Sequence, residues 1–340
     1  MNKWIEIPSA QRAQILQQIA IARHLDATAI EKDWWVTMCL TALFRCRCAD
    51  YINFKGGTSL SKCWHLIDRM SEDIDIAVDR KFFGLDGEIT RRKDITVIRQ
   101  ALCSYVLEDL SSEISDKLSE LGLVGFNVNT PLTVDSSTDP QIIEVEFDSV
   151  LPLPIEYLRP KVLIEIGARS MTEPCERIPI RSILAEHYPE APFADAPVTV
   201  NVATPGRTFL EKIFLIHEEM QKPSVRIDRM SRHLYDIAMM KDKPFAKEAL
   251  ADTELYKSIV HHRETLTHVS GIDYSHHAPQ YIKIVPTGET EQAWRNDYES
   301  MLRTMIYGEQ ISFDEIMKML TELQNAINND NECSKNNCRP

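Results

Sequence analysis

Tyr51-Ile52-Asn53-Phe54-Lys55-Gly56-Gly57-Thr58-Ser59 is an apolar run that breaks at two glycines and opens into a helical-looking segment over 59–67. Sixteen residues after Gly57 comes Asp73-Ile74-Asp75-Ile76-Ala77-Val78, an alternating segment. The first stretch reads as strand, tight turn and helix N-terminus. There, free backbone N–H groups and the positive end of a helix dipole suit a phosphate. The second reads as a strand, on which residues two apart point to one side. Asp73 and Asp75 therefore face one way while Ile74, Ile76 and Val78 face the other. Two carboxylates side by side repel unless a cation lies between them, and hard oxygen donors suit Mg²⁺ or Mn²⁺. A phosphate cradle (Gly56, Gly57, Thr58, Ser59) beside a metal-binding pair is equipment for nucleotidyl transfer from an NTP. At Gly57 a β-branched residue is expected to break the cradle, since it suits neither φ > 0 nor close approach of a phosphate.

Working outward, 340 residues are enough for two domains with sizeable cores, and 44% hydrophobic residues with mixed charge place the chain among ordinary globular proteins. No stretch approaches eighteen apolar residues and the N-terminus lacks a signal-peptide core, so neither membrane insertion nor export is expected. The eight cysteines form no paired framework and read as reduced thiols of a cytoplasmic protein. Cys39 with Cys46-Arg47-Cys48 has the wrong spacing for zinc. A net charge of −13 argues against non-specific nucleic-acid binding but leaves room for a local patch. Residues 207–243 are such a segment, with eight Lys or Arg against six acidic residues. It reads either as a solvated pair of helices or as a substrate surface.

The periodicity predicts two helices over 7–45, a strand at 51–55, a helix at 58–68, a strand at 73–79 and a long helical stretch over 94–121. Strands are then expected at 123–130, 141–149, 161–168, 176–181 and 197–202. Thr204-Pro205-Gly206 changes the regime, because Thr can cap a helix and Pro suits its first turn. Helices are expected at 205–221, 225–241, 245–264, 290–306 and 312–328. The fold class is thus α+β, a mixed β-sheet domain with flanking helices over 1–203 followed by an α-helical domain over 204–328. The Asn-rich tail 329–340 reads as disordered.

Gly56-Gly57-Thr58-Ser59, a short helix, and then Arg69-x-Ser71-x-Asp73-x-Asp75 resemble the AbiEii/AbiGii toxin family of DNA-polymerase-β-like nucleotidyltransferases. So do an early Glu31-Lys32-Asp33, the strand over 161–168, and the pairs Glu211-Lys212 and Tyr235-Asp236-Ile237 on late helices. The resemblance runs from about residue 30 to about residue 240. It implies the toxin of a toxin–antitoxin or abortive-infection (phage-defence) system, a nearby antitoxin, and an RNA acceptor such as a tRNA 3′ end. It also implies that Lys212 reaches the nucleotide phosphates and that Asp236 supports catalysis, both close to Asp73 and Asp75.

Polymerase-type transfer calls for a third carboxylate to complete two metal sites. Glu165 is the first choice, an isolated acid in the apolar Lys161-Val-Leu-Ile-Glu-Ile-Gly-Ala strand, where an unpaired charge is costly. Glu146 is the rival, although Glu144, Glu146 and Asp148 together look like a solvated face. Glu72 has the opposite parity to Asp73 and is not a ligand. Ser71 and Lys62 are candidates for nucleotide contact, with solvent the other reading for Lys62. Glu31-Lys32-Asp33 either braces the site or is a charged helix surface. Asp228, Arg232 and Asp236, spaced four apart, could equally form a surface ion-pair row. Beside RNA modification stand two other functions, transfer to a small-molecule hydroxyl, as in antibiotic modification, and nucleotide binding without turnover.

Overall fold

A computed structural model describes residues 2–71, 73–87, 92–131, 139–152 and 160–336. Glu72, Arg91 and 337–340 lie outside the described residues. The chain divides into two compact units, 1–63 with 70–203, and 64–69 with 204–340. The short segment 64–69 thus belongs with the second unit, where the sequence pattern had kept it in the first.

The first unit contains α1 (Lys3–Glu6), α2 (Ser9–Arg23), α3 (Ala27–Leu43), β1 (Ile52–Lys55), α4 (Gly56–Lys62) and β2 (Ile74–Val78). It continues through α5 (Arg92–Tyr105), α6 (Ser111–Glu120), β3 (Phe126–Asn129), β4 (Gln141–Phe147), β5 (Lys161–Gly167), β6 (Cys175–Ile180), α7 (Ile183–His187) and β7 (Val198–Ala203). The strands form one seven-stranded mixed sheet in the order β3-β4-β5-β2-β1-β7-β6. β2 runs parallel to β5 and β1 parallel to β7, while the other neighbouring pairs are antiparallel.

Alternation fixes the faces of this sheet. Ile74, Ile76, Ile164, Ile166, Ile143 and Val145 are all buried on one side. Helix α3, apolar nearly all round and buried from Ile30 to Leu43 apart from Asp33, packs against β5 and β7. Its Trp35 stacks on Phe147 with ring centroids 4.9 Å apart. The opposite face carries Lys55, Asp75 and Glu165, all half-buried. One hydrophobic helix therefore commits the apolar side of the central strands to the core and leaves the carboxylates on the other side.

The second unit is helical: α8 (Pro205–Glu219), α9 (Ser231–Met240), α10 (Pro244–Ala251), α11 (Thr253–His262), α12 (Gly288–Thr304) and α13 (Phe313–Asn336). Three departures from the pattern have local causes. The segment expected to be helical from 225 starts only at Ser231, because Arg229 adopts φ 60° and Asp297 caps the start by accepting the Arg229 and Ser231 N–H groups. The helix expected over 245–264 breaks at Asp252, whose carboxylate accepts the Glu254 and Leu255 N–H groups. The last helix runs on to Asn336, eight residues beyond the expected 328. Once nucleated, a helix gains one hydrogen bond per added residue even where the side chains are poor formers. No helix among the described residues is long and apolar enough to cross a membrane.

Candidate active site

Asp75 and Glu165 are register partners on the parallel strands β2 and β5. Paired residues share a face, so these carboxylates stand side by side on the half-buried face of the sheet. On the other side of Asp75, its partner on β1 is Lys55. Asp73 lies two residues before Asp75 and is also half-buried, and its main-chain carbonyl accepts the Thr58 hydroxyl at 2.5 Å. Glu146 occupies the same face but pairs with Lys161, four residues along β5 from Glu165. At about 3.3 Å per residue that is roughly 13 Å away. Its surroundings are those of an exposed edge, with Asn129 Nδ2 donating to it at 3.4 Å.

The glycine turn is built around Asp75. Gly56 has φ 79°, a left-handed conformation, and a Cβ added there would fall inside the Asp75 carboxylate. The position that demands glycine on both counts is therefore Gly56, and Gly57 does not share its left-handed φ. Helix α4 begins at Gly56 and stops at Lys62, earlier than the 68 expected, since the chain leaves this unit at Trp64 and His65 takes φ 49°. Lys55 stands at its N-cap without a side-chain capping bond, so the cap offers nothing to the N–H groups of the first turn.

The hydroxyls behave differently from the backbone. With its proton on the Asp73 carbonyl, Thr58 Oγ1 accepts the Ser71 hydroxyl at 2.9 Å, and Ser59 donates to the Gly56 carbonyl at 2.8 Å. Both Thr58 and Ser59 are buried. They brace the turn against the segment entering β2, and their side chains are not presented to a ligand. Lys62 is likewise occupied. Its ammonium, 5% exposed, bonds Asp33 at 2.6 Å, and the other Asp33 oxygen accepts the Ile183 N–H. Asp33 thereby ties Lys62 to the start of α7. Glu31 is buried and accepts from Ser149 Oγ and the Val150 N–H. Burial raises its carboxyl pKa, with those bonds and the Arg12 charge opposing.

Within the second unit, Asp236 is wholly buried. It takes Arg69 Nε and Nη2 at 2.7 Å each and Lys212 Nζ at 2.9 Å. A surface ion-pair row through Asp236 is thereby excluded. Burial alone would raise its carboxyl pKa, but the Arg69 and Lys212 charges and hydrogen bonds hold it well below the usual carboxylate range. Burial pushes the Lys212 ammonium below its ordinary value despite Asp236, and Arg69 adds to that shift. His233 Nδ1 lies 3.4 Å from Lys212 Nζ, and burial followed by the Lys212 and Arg232 charges keeps its imidazole neutral. Asp236 thus accepts from two cationic side chains at once. The sequence carried no signal for Arg69 as the partner of Asp236, 167 residues away.

The donor chemistry of Asp73, Asp75 and Glu165 fits a hard divalent ion, and the register sets Asp75 and Glu165 in adjacent positions. As the side chains stand, no group of three or more His, Cys, Asp or Glu among the described residues is gathered tightly enough to hold a metal. A cavity at the β3–β4 end, lined by Gly125, Asn127, Glu146, Asp148 and Lys161, lies away from this row.

Comparison with known proteins adds a family to this geometry. The family described as nucleotidyl transferase AbiEii toxin, type IV TA system, matches residues 39–319. Among solved structures, the chain is similar to MenT4, a nucleotidyltransferase toxin of Mycobacterium tuberculosis H37Rv. The identity is 15% and the TM-score 0.44, with 94% of this chain and 98% of that one covered. It is also similar to JHP933 of Helicobacter pylori at 11% identity and TM-score 0.47, covering 92% and 97%. No curated protein matches.

Proposed function

The chain belongs to the AbiEii nucleotidyltransferase toxin family, and from that premise we propose that it transfers a nucleoside monophosphate from an NTP to the 3′ end of an RNA, a tRNA acceptor end above all. The observation that carries this reading is the in-register Asp75–Glu165 pair beside a glycine turn shaped around Asp75. Asp73, Asp75 and Glu165 would hold a divalent ion, Mg²⁺ or Mn²⁺. When bound, such an ion neutralises triphosphate charge and acidifies a hydroxyl.

The protein's own groups do the rest. First-turn N–H groups from Gly57 onward receive phosphate oxygens, and Gly56 admits the Asp75 carboxylate to the same spot. Thr58 and Ser71 hold the two motifs in register. The acceptor oxygen bonds to the α-phosphorus, the bond from that phosphorus to the bridging oxygen breaks, and pyrophosphate leaves. The hydroxyl proton passes to a carboxylate of the row. We assign Lys212 and Asp236 to the same reaction. The bonds that fix Lys212 on Asp236 support that role, since a cationic side chain held in one place suits a polyanionic substrate. A toxin of this family implies a cognate antitoxin, and we place the protein in the cytoplasm as a phage-defence or abortive-infection component.

Incubation with total RNA, Mg²⁺ and each labelled NTP tests the acceptor. Label in tRNA-sized RNA supports the reading. Label transferred only to small-molecule hydroxyls would replace it with the antibiotic-modifying one. Induced expression should also arrest bacterial growth, with an antitoxin from a neighbouring reading frame restoring it.

A further inference from the structure

Three lysines border the proposed chemistry in sequence, and the structure separates them. Lys62 is bonded to Asp33, and Lys212 is bonded to Asp236. The Lys55 side chain has neither a hydrogen bond nor an ion pair among the described residues. It is half-buried, on the last residue of β1, directly opposite Asp75 in register and so on the carboxylate face. It is also the residue from which α4 departs, in extended conformation at φ −146°. One position thus presents an unpaired cation both to the carboxylate row and to the head of the glycine turn. A partly desolvated ammonium without a counter-ion is unfavourable in the free protein, and a bound anion relieves it.

We propose that Lys55 is the first unit's phosphate-binding residue, its ammonium taking a non-bridging oxygen of the β- or γ-phosphate of the NTP. The assignment rests on the nucleotidyltransfer reading above. In the transfer step Lys55 holds the pyrophosphate that leaves and neither gains nor loses a proton. The location explains why a lysine is tolerated beside Asp75: a short ammonium on a flexible stem can lean from the carboxylates toward the phosphates when these arrive.

Calorimetric titration of the full-length protein with ATP, GTP, CTP and UTP, each with Mg²⁺, and with the matching monophosphates, tests it. For the NTP that wild type binds, Lys55→Met should weaken affinity about 10- to 100-fold and leave monophosphate affinity within about twofold, as expected for one lost charge-assisted bond to phosphate. Lys55→Arg should recover most of the loss, and an unchanged melting temperature keeps the result free of misfolding. Wild-type NTP affinity in Lys55→Met overturns the assignment of Lys55 alone. Equal weakening of NTP and monophosphate also overturns it, since the ammonium would then act on the carboxylate row and not on the triphosphate end. A wild-type protein that binds no NTP removes the nucleotide reading and the Lys55 assignment with it.

Discussion

Asp75 and Asp236 are the same residue type under opposite management. Asp75 stands half-buried on a sheet face with Glu165 as its register partner on β5, an acid beside an acid. Asp236 is fully buried and held by Arg69 and Lys212. The buried site surrounds its charge with counter-charge, which is what a low-dielectric interior demands. The sheet site leaves like charges adjacent, which costs stability unless something else neutralises them. Asp236 is thus a carboxylate enclosed by cations, whereas Asp75 has an acid on one side and Lys55 on the other.

The contrast can be broken most forcefully at the sheet. Asp73→Ala and Asp75→Ala are each expected to lower nucleotide transfer by about three orders of magnitude or more, as for loss of groups that support metal-assisted chemistry. Their melting temperatures should stay near wild type. Near wild-type transfer by either would remove the ligand assignment.

Asp236→Ala should show the reverse balance in stability. Arg69 and Lys212 would be left buried without a counter-ion, at a cost of about 3–5 kcal/mol, read by denaturant unfolding. The sign with pH follows from the depressed Asp236 pKa. Its contribution is complete above the ordinary Asp value of 3.8 and is lost progressively as pH falls below it. Asp236→Asn should therefore flatten the acid limb below that pH. An equally steep limb would show that the ion pairs contribute nothing.

A smaller effect separates the two glycines. Gly56→Ala forces a Cβ into the Asp75 carboxylate at left-handed φ, costing about 1–3 kcal/mol and most of the activity. Gly57→Ala should cost less than about 1 kcal/mol. Comparable losses at both positions would sink this account of the turn.

Smaller again is a pH effect confined to the helical unit. His217 is buried, and burial followed by the neighbouring His277 lowers its pKa to about 4. Its Nδ1 also accepts the Lys283 N–H, a bond imidazolium cannot accept. Folded below unfolded, this shift gives stability that is present above about pH 6.5 and fades toward pH 4. His217→Gln keeps an acceptor without titrating, so its melting temperature should fall by a few °C less over that interval. An unchanged pH slope would deny His217 that part. The smallest expected change is Glu146→Gln, with transfer within about twofold of wild type, given its place some 13 Å along the sheet, whereas Glu165→Gln should be severely impaired.

Much of this was legible in the sequence because it is local. Alternation placed the strands, Pro205 marked the start of the helical unit, and the parity of β2 set Asp75 opposite the apolar Ile74 and Ile76, while Asp73 stands one residue before the strand. Glu165 stood out as a lone acid in an apolar strand, and its register with Asp75 is the long-range fact that the pattern could not contain. The pairings of Lys62 and Arg69 were not legible for the same reason. Their partners, Asp33 and Asp236, are 29 and 167 residues away, and nothing in a local window reports such a pairing. The early end of α4 follows from it too, since 64–69 leaves the first unit and Arg69 is drawn into the second.

Transfer of labelled NMP, followed in parallel for wild type and Asp75→Asn with Mg²⁺ or with EDTA, tests the central claim most directly. Asn keeps the size of Asp, removes the charge and turns one accepting oxygen into a donating NH2. The account predicts label incorporated by wild type with Mg²⁺, and none above background with EDTA or with Asp75→Asn under either condition. Transfer that persists in EDTA, or an Asp75→Asn protein working at the wild-type rate, would contradict it.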